Sequence, residues 1–292
     1  MDVIIQSNAE LAARTAADLI ARALSAKPDL GLGLATGCTM ESVYDQLVRK
    51  HLEAGLDFSR CRTFNLDEYV GLAADDPCSY HYFMRERFFD AVNINLGNTY
   101  LPDGTAEDLA AECMNYEKLV ALNGGIDLQL LGIGLNGHLG FNEPLSAFRS
   151  RTRVVTLSRV TRAQNAPLFP KPRQVPRRAI TMGVGTILEA RCCVLLATGL
   201  EKAEIVARAI EGPLTAMVTA TALQLHPACT VVLDEEAAGN LRENEHYQRI
   251  LPVPNGPAKI PPAILAENEN GGHSLPATSK KTFLAGKLAG RS

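Results

Sequence analysis

The chain has 292 residues, a formal net charge of -3 and a hydrophobic share of 46%. That length supports a core that holds without covalent staples. The near-zero charge offers no basic excess to release counterions from a nucleic acid, so nucleic acid is excluded as a partner. The seven cysteines are odd in number and lack CxxC spacing, no apolar run reaches the length of a membrane span, and Met1-Asp-Val-Ile-Ile has no basic, cleavable leader pattern. These features predict a cytoplasmic protein with no membrane partner.

In chain order, residues 3–6 read as a strand, 9–27 as a helix, 30–34 as a strand and 42–54 as a helix. Residues 63–66 form a short strand ending at Asp67. Helical spacing returns at 80–89 and 106–122, the second opening with the acidic Glu107 and Asp108. Residues 126–131, Ile-Asp-Leu-Gln-Leu-Leu, read as a buried strand. Further strands are expected at 154–157, 180–182, 194–197 and 230–233, with a helix at 201–211. This alternation predicts one α/β domain around a mostly parallel sheet flanked by helices, a Rossmann-like three-layer sandwich. Residues 1–245 form that domain. Residues 246–292, rich in Pro and Gly, are expected to be a poorly ordered tail.

Ligands in a parallel sheet bind beyond the carboxyl ends of its strands, and three strand-end loops stand out. Gly31-Leu-Gly-Leu-Ala-Thr-Gly-Cys-Thr-Met40 runs from a strand into a helix. Its Gly33, Gly37, Thr36 and Thr39 suit a phosphate cradle at a helix N-terminus, although a plain strand-to-helix turn uses the same residues. It lacks the Lys of a P-loop. Asp67 and Glu68 place two carboxylates where a strand runs out, as a carbon acid's general base or as turn and capping residues. Gly132-Ile-Gly-Leu-Asn-Gly-His-Leu-Gly-Phe-Asn-Glu-Pro144 contains a literal dinucleotide fingerprint. The residues after Gly137 cannot open the helix which that fingerprint requires. The segment instead collects Asn136, His138 and Glu143, and extended geometry would put Asn136 and His138 on one face. A histidine among polar neighbours can shuttle a proton near neutral pH. A metal on His138 and Glu143 finds no third ligand at plausible spacing.

Together these stretches resemble the glucosamine-6-phosphate deaminase family. The resemblance also rests on Ser150-Arg-Thr-Arg153, Val175-Pro, Ala179-Ile-Thr-Met-Gly-Val-Gly-Thr-Ile-Leu188 and Leu223-Gln-Leu-His-Pro227, and runs to about residue 240. It implies the NagB-type fold and a deaminating aldose–ketose isomerase. Such an enzyme converts an amino-sugar phosphate and water to a ketose phosphate and ammonium, without cofactor or metal. Asp67 would then move a proton between C2 and C1, and His138, assisted by Asn136 and Glu143, would open the sugar ring. Thr36, Gly37, Cys38 and Thr39 would hold the phosphate, with Lys202 as cationic partner. The family includes hexamers and monomers, so a homo-oligomer is among the expectations.

Three departures bear on this. Asn136 stands where some members carry Asp, and Cys38 stands where Gly is usual, which would strain the backbone if that position required φ > 0. Pro167 stands where many members carry a phosphate-binding Arg, with Lys171 or Arg173 as candidate replacements. The alternatives are a deaminase or deglycase acting on another amino-sugar or sugar-amine phosphate, a 6-phosphogluconolactonase, and a non-catalytic sugar-phosphate sensor.

Overall fold

In the computed structural model, which describes residues 1–243 and Tyr247, the first half of the chain forms β1 (Asp2–Gln6), α1 (Ala9–Ala26), β2 (Gly31–Leu34), α2 (Cys38–Ala54), β3 (Arg62–Asn65), β4 (Asp67–Tyr69), α3 (Tyr80–Arg87), β5 (Thr99–Tyr100), α4 (Leu109–Leu122) and β6 (Leu128–Leu131). The second half forms β7 (Arg153–Thr156), α5 (Arg159–Asn165), β8 (Arg178–Thr181), α6 (Val184–Leu188), β9 (Cys192–Ala197), α7 (Ala203–Ile210), β10 (Cys229–Asp234) and α8 (Glu235–Ala238). The tail expected from residue 246 lies, Tyr247 apart, outside the described residues.

Among the described residues, seven strands form one sheet in the order β1-β10-β9-β6-β2-β3-β5. Every pairing in it is parallel. β2, β6 and β9 are buried along their whole length, so apolar residues fill both faces, with Gln129 of β6 the polar exception. From β1 the chain crosses to β2, works outward through β3 to β5, then returns to β6 and works the other way through β9 and β10. The order therefore reverses between β2 and β6, and a crevice opens beyond their carboxyl ends.

α1 shows how the helices cover the sheet. The Asn8 side chain caps it by accepting from the Leu11 N–H at 2.9 Å. Its buried face combines Ala12, Ala13, Ala16 and Ala17 with Leu19, Ile20 and Leu24. The alanines allow close approach, and each of the larger side chains contributes about 1.5–3 kcal/mol by burial. No helix of the described residues is long and apolar enough to cross a membrane.

The strands expected near 154–157 and 180–182 lie outside the parallel sheet. β7 and β8 pair antiparallel with each other, and β4 pairs antiparallel with β8, forming a separate three-stranded sheet. The chain changes sheets at Leu66, whose carbonyl accepts from Met182 N–H at 2.6 Å while its own N–H donates to Leu34. β7 is half-exposed along its length, as befits an antiparallel strand with one wet face. The small sheet matters here because its β4 begins at Asp67.

Boundaries shift where capping overrides periodicity. α4 begins at Leu109, because the Asp108 carboxylate accepts from the N–H groups of Ala110 and Ala111 and so sits outside the helix. The expected helix at 201–211 divides into a 3-10 turn, Leu200–Lys202, and α7. α2 starts at Cys38, four residues before the expected 42, so the glycine loop runs directly into a helix.

Candidate active site

The loop after β2 turns at Gly37, whose φ of 108° is open to glycine at little cost. α2 then begins with no side-chain cap, leaving its first N–H groups pointing outward as an anion site. Cys38 lies inside α2 with ordinary helical backbone, so the strain considered for a non-glycine residue there does not arise. Gly37 carries the left-handed demand instead. Gly33 is not part of the cradle, since it is a β2 residue packed against the Gln129 side chain.

Asp67 and Glu68 divide their duties by strand alternation. Glu68 turns into the protein, where its carboxylate accepts from the N–H groups of Tyr80 (3.1 Å) and His81 (3.0 Å) at the start of α3, and from His81 Nδ1 at 2.9 Å. It is a capping residue. Asp67 faces the crevice, only 5% exposed, and has no hydrogen-bond partner among the described residues. Burial, reinforced by the neighbouring Glu68, raises its pKa well above the ordinary carboxylate value.

The loop after β6 opens no helix at Gly137, which rules out dinucleotide binding by the fingerprint mechanism. Nor is it extended, as the alternation argument assumed. A turn with Gly137 at φ 83° brings Asn136 and His138 together instead. His138 Nδ1 lies 2.5 Å from Asn136 Oδ1, and Asn136 Nδ2 donates to Glu143 Oε2 at 2.8 Å. The carboxylate end fixes the amide orientation, so Asn136 Oδ1 must accept from His138. The neutral ring therefore carries its proton on Nδ1 and keeps a free lone pair on Nε2. Glu143 is anchored in turn by the Ser158 N–H at 2.9 Å.

Burial lowers the His138 pKa to about 4, with Lys202 acting in the same direction and Glu143 opposing. Burial alone would raise Glu143. Hydrogen bonds from Thr161, the Ser158 N–H and Asn136 outweigh that and hold it below its ordinary value. The ring lies across Gly134, where an added Cβ would come within 2.1 Å of the imidazole Cε1. Asn142, wholly buried, fastens the loop by donating to the carbonyls of Leu139 and Met182.

These pieces share one cavity of about 330 Å³, lined by Thr36, Gly37, Cys38, Thr39, Asp67 and His138, and by Lys202. Lys202 ends the 3-10 turn before α7 and donates to the Ile133 carbonyl at 2.9 Å, so its buried ammonium sits beside the loop after β6. Burial draws its pKa down, against the pull of Glu201. Of the expected site residues, Asn136 and Glu143 stand behind His138 and do not line the cavity. Pro167 does line it, and neither candidate replacement for the missing Arg does. Arg173 is engaged by Asp76 at 2.9 and 2.5 Å, and Lys171 is exposed elsewhere. Lys202 is the one Lys or Arg among the described lining residues. Among the described residues no cluster of three or more His, Cys, Asp or Glu is placed to hold a metal.

Residues 6–237 match the family model for glucosamine-6-phosphate isomerases/6-phosphogluconolactonase. The chain belongs to this family. Within the glucosamine-6-phosphate isomerase/6-phosphogluconolactonase family, it is 48% identical over 248 residues to a glucosamine-6-phosphate deaminase of Arthrobacter sp. (strain FB24), covering 85% of this chain and 95% of the relative. A solved monomeric glucosamine-6-phosphate deaminase, described as a missing link of the NagB superfamily, superposes with a TM-score of 0.81 at 47% identity, covering 82% of this chain and all of the other. The 6-phosphogluconolactonase of Trypanosoma brucei superposes with a TM-score of 0.64 at 22% identity, over 82% of this chain and 98% of that one. That likeness is one of fold.

Sequence reasoning missed Tyr80, Gln164 and Asn165, which also line the cavity. It also missed the support given to Glu143 by Ser158 and Thr161. The Ser158-x-x-Thr161 capping pattern was a usable signal for α5. Nothing local marks Tyr80 as a cavity residue.

Proposed function

We propose that the chain is a deaminating aldose–ketose isomerase that converts glucosamine 6-phosphate and water to fructose 6-phosphate and ammonium. One observation carries the reading: an unpaired buried carboxylate and a histidine with a free Nε2 lone pair face one cavity, beside an uncapped helix N-terminus and a buried lysine. The 47–48% identical deaminases support it.

In this reading the first N–H groups of α2, the hydroxyls of Thr36 and Thr39, the turn at Gly37–Cys38 and the Lys202 ammonium hold the phosphate. His138 is neutral at physiological pH, and its Nε2 accepts the proton of the C1 hydroxyl and delivers it to the ring oxygen as the ring C1–O bond breaks. Asn136 holds the imidazole in the needed tautomer, and Glu143 holds Asn136. Asp67 then takes the C2 proton and delivers it to C1. Its raised pKa makes it a stronger base than an ordinary carboxylate once ionised. Water replaces nitrogen at C2, and ammonium leaves. All seven cysteines are free thiols, six of them buried, which supports a reducing compartment such as the cytoplasm.

Ammonium and fructose 6-phosphate measured from purified protein with glucosamine 6-phosphate test this directly. Equimolar appearance of both is expected, and a folded protein that releases neither refutes it. Pro167 favours a second reading, a deaminase for a different amino-sugar or sugar-amine phosphate. Comparison of kcat/KM across such phosphates decides between the two, and a clear preference for glucosamine 6-phosphate removes the second.

A further inference from the structure

One charged lining residue has no part in the chemistry above. Glu201 lines the same cavity as residues 36–39 and Lys202. Its place is set by Gly199, the residue before the 3-10 turn, whose φ is 90°. A Cβ added to Gly199 would lie 2.7 Å from Glu201 Oε2 and 3.1 Å from Oε1. The carboxylate therefore folds back over the space that this glycine leaves, at the cavity wall. The Lys202 ammonium, next in the chain, donates to the Ile133 carbonyl at 2.9 Å rather than to this carboxylate. The two charges still sense each other, since Glu201 opposes the fall in the Lys202 pKa that burial causes. One cation and one carboxylate are thus set side by side in the cavity wall, and Pro167, on the same wall, adds no charge.

We propose that Glu201 is a specificity-determining residue that opens the site to singly charged sugar esters, with glucosamine 6-sulfate as a second substrate. The inference rests on reading residues 36–39 and Lys202 as the site of the charged ester. Coulomb energy scales with the product of the charges. A phosphate monoester carries two negative charges above its second pKa of about 6. A sulfate monoester carries one, so Glu201 repels it half as strongly. The sulfate presents three terminal oxygens in the same tetrahedral arrangement to the α2 N–H groups, the Thr36 and Thr39 hydroxyls and the Lys202 ammonium. The Lys202 charge balances the sulfate fully, whereas the phosphate keeps one charge uncompensated and faces Glu201 as well. The reacting atoms are C1 and C2, away from the ester. Glucosamine 6-sulfate and water would therefore give fructose 6-sulfate and ammonium. The C2–N bond breaks, the water oxygen becomes the C2 carbonyl, and the ester bond stays intact. C1 is reduced as C2 is oxidised, through the proton that Asp67 moves, so no outside oxidant is needed.

Steady-state kinetics of the full chain with both esters tests this, at about pH 8, where each ester's charge is fixed. The wild type should release ammonium from glucosamine 6-sulfate, with kcat/KM within about tenfold of the phosphate value. Glu201→Gln, which keeps the side chain's size, should lower KM for the sulfate about twofold and for the phosphate about fourfold, the square of the first. Raised ionic strength should shrink both changes. A residue that only supported the turn would shift both esters equally. Equal shifts in Glu201→Gln, or no ammonium from the sulfate while the phosphate is turned over, overturns the proposal. If Glu201→Gln does not fold, Glu201→Ala is judged by the same ratio. If neither ester yields ammonium, the functional reading fails by itself. Calorimetric dissociation constants of the two esters, in wild type and Glu201→Gln, then decide the charge selectivity by the same ratio.

Discussion

The loops after β2 and β6 flank the same crevice, and both are rich in glycine, yet they use glycine oppositely. After β2, Gly37 takes a backbone conformation that bares the N-terminus of α2, and the site is made of main-chain N–H groups. After β6, Gly134 supplies absence of a side chain, and the site is made of an imidazole laid over the vacated space. The first loop offers its backbone to a ligand. The second positions a side chain by removing another. Glycine spacing alone cannot distinguish these cases, which is why the second loop imitates a dinucleotide fingerprint without opening a helix.

The sharpest break in the comparison comes from the residue that belongs to neither loop. Asp67→Asn should lower kcat about 10³-fold while leaving inorganic phosphate affinity unchanged. It should also stabilise the protein at pH 7. Because the folded pKa of Asp67 is raised, the folded state binds a proton more tightly than the unfolded state does. That contribution is fully present below the unfolded value near 4 and is lost as pH rises toward the folded pKa. At neutral pH the wild type therefore bears the cost of an unpaired, buried carboxyl group that the amide relieves. Thermal unfolding checks this: the variant's Tm should exceed the wild type's at pH 7, with the gap closing toward pH 4. A lower Tm at pH 7 would contradict the burial argument.

Alanine at the two glycines sharpens the contrast itself. Gly134→Ala should reduce kcat about 100-fold by displacing the His138 ring, since misplacing a reacting group by about 1 Å costs that much. Gly37→Ala should instead act on binding, raising KM about tenfold and changing kcat little. Equal effects of both on KM would mean that the loops are not specialised as described.

The smallest effect concerns His138. Asn136→Asp sets a carboxylate against Nδ1 and should raise the His138 pKa from about 4 by about one to two units. The working ring is neutral, so the acid limb of kcat/KM should move to higher pH by that amount. An unmoved limb would remove His138 from the ring-opening step.

Much of the fold was legible because buried parallel strands announce themselves. Residues 194–197 are an apolar run that belongs in the interior, and β9 falls there, while β6 falls within 126–131, where Ile126, Leu128, Leu130 and Leu131 are interleaved with Asp127 and Gln129. β4 was not legible. It is three residues long, carries two acids, and becomes a strand only because β8 supplies a partner over a hundred residues away. β7 and β8 were seen as strands, but their separate antiparallel sheet was not, since alternation reports a strand's faces and not its neighbours. In the site, Asp67, His138 and the loop 36–39 were readable as polar groups at strand ends. The separation of Asp67 from Glu68 depends on which side chain the β4 register turns inward, and the placement of Tyr80 and Asn165 depends on tertiary packing.

That register has a consequence of its own. A slip of one residue in β4 against β8 would exchange the two acids, aiming Glu68 into the crevice and leaving the shorter Asp67 to reach for the N–H groups of Tyr80 and His81. The adjacent acids of unequal length thus act as a key that fits its lock one way round. Only the observed pairing both closes the start of α3 and turns Asp67, the proposed base, into the crevice, so a misthreaded small sheet loses the helix cap and the cavity carboxylate together.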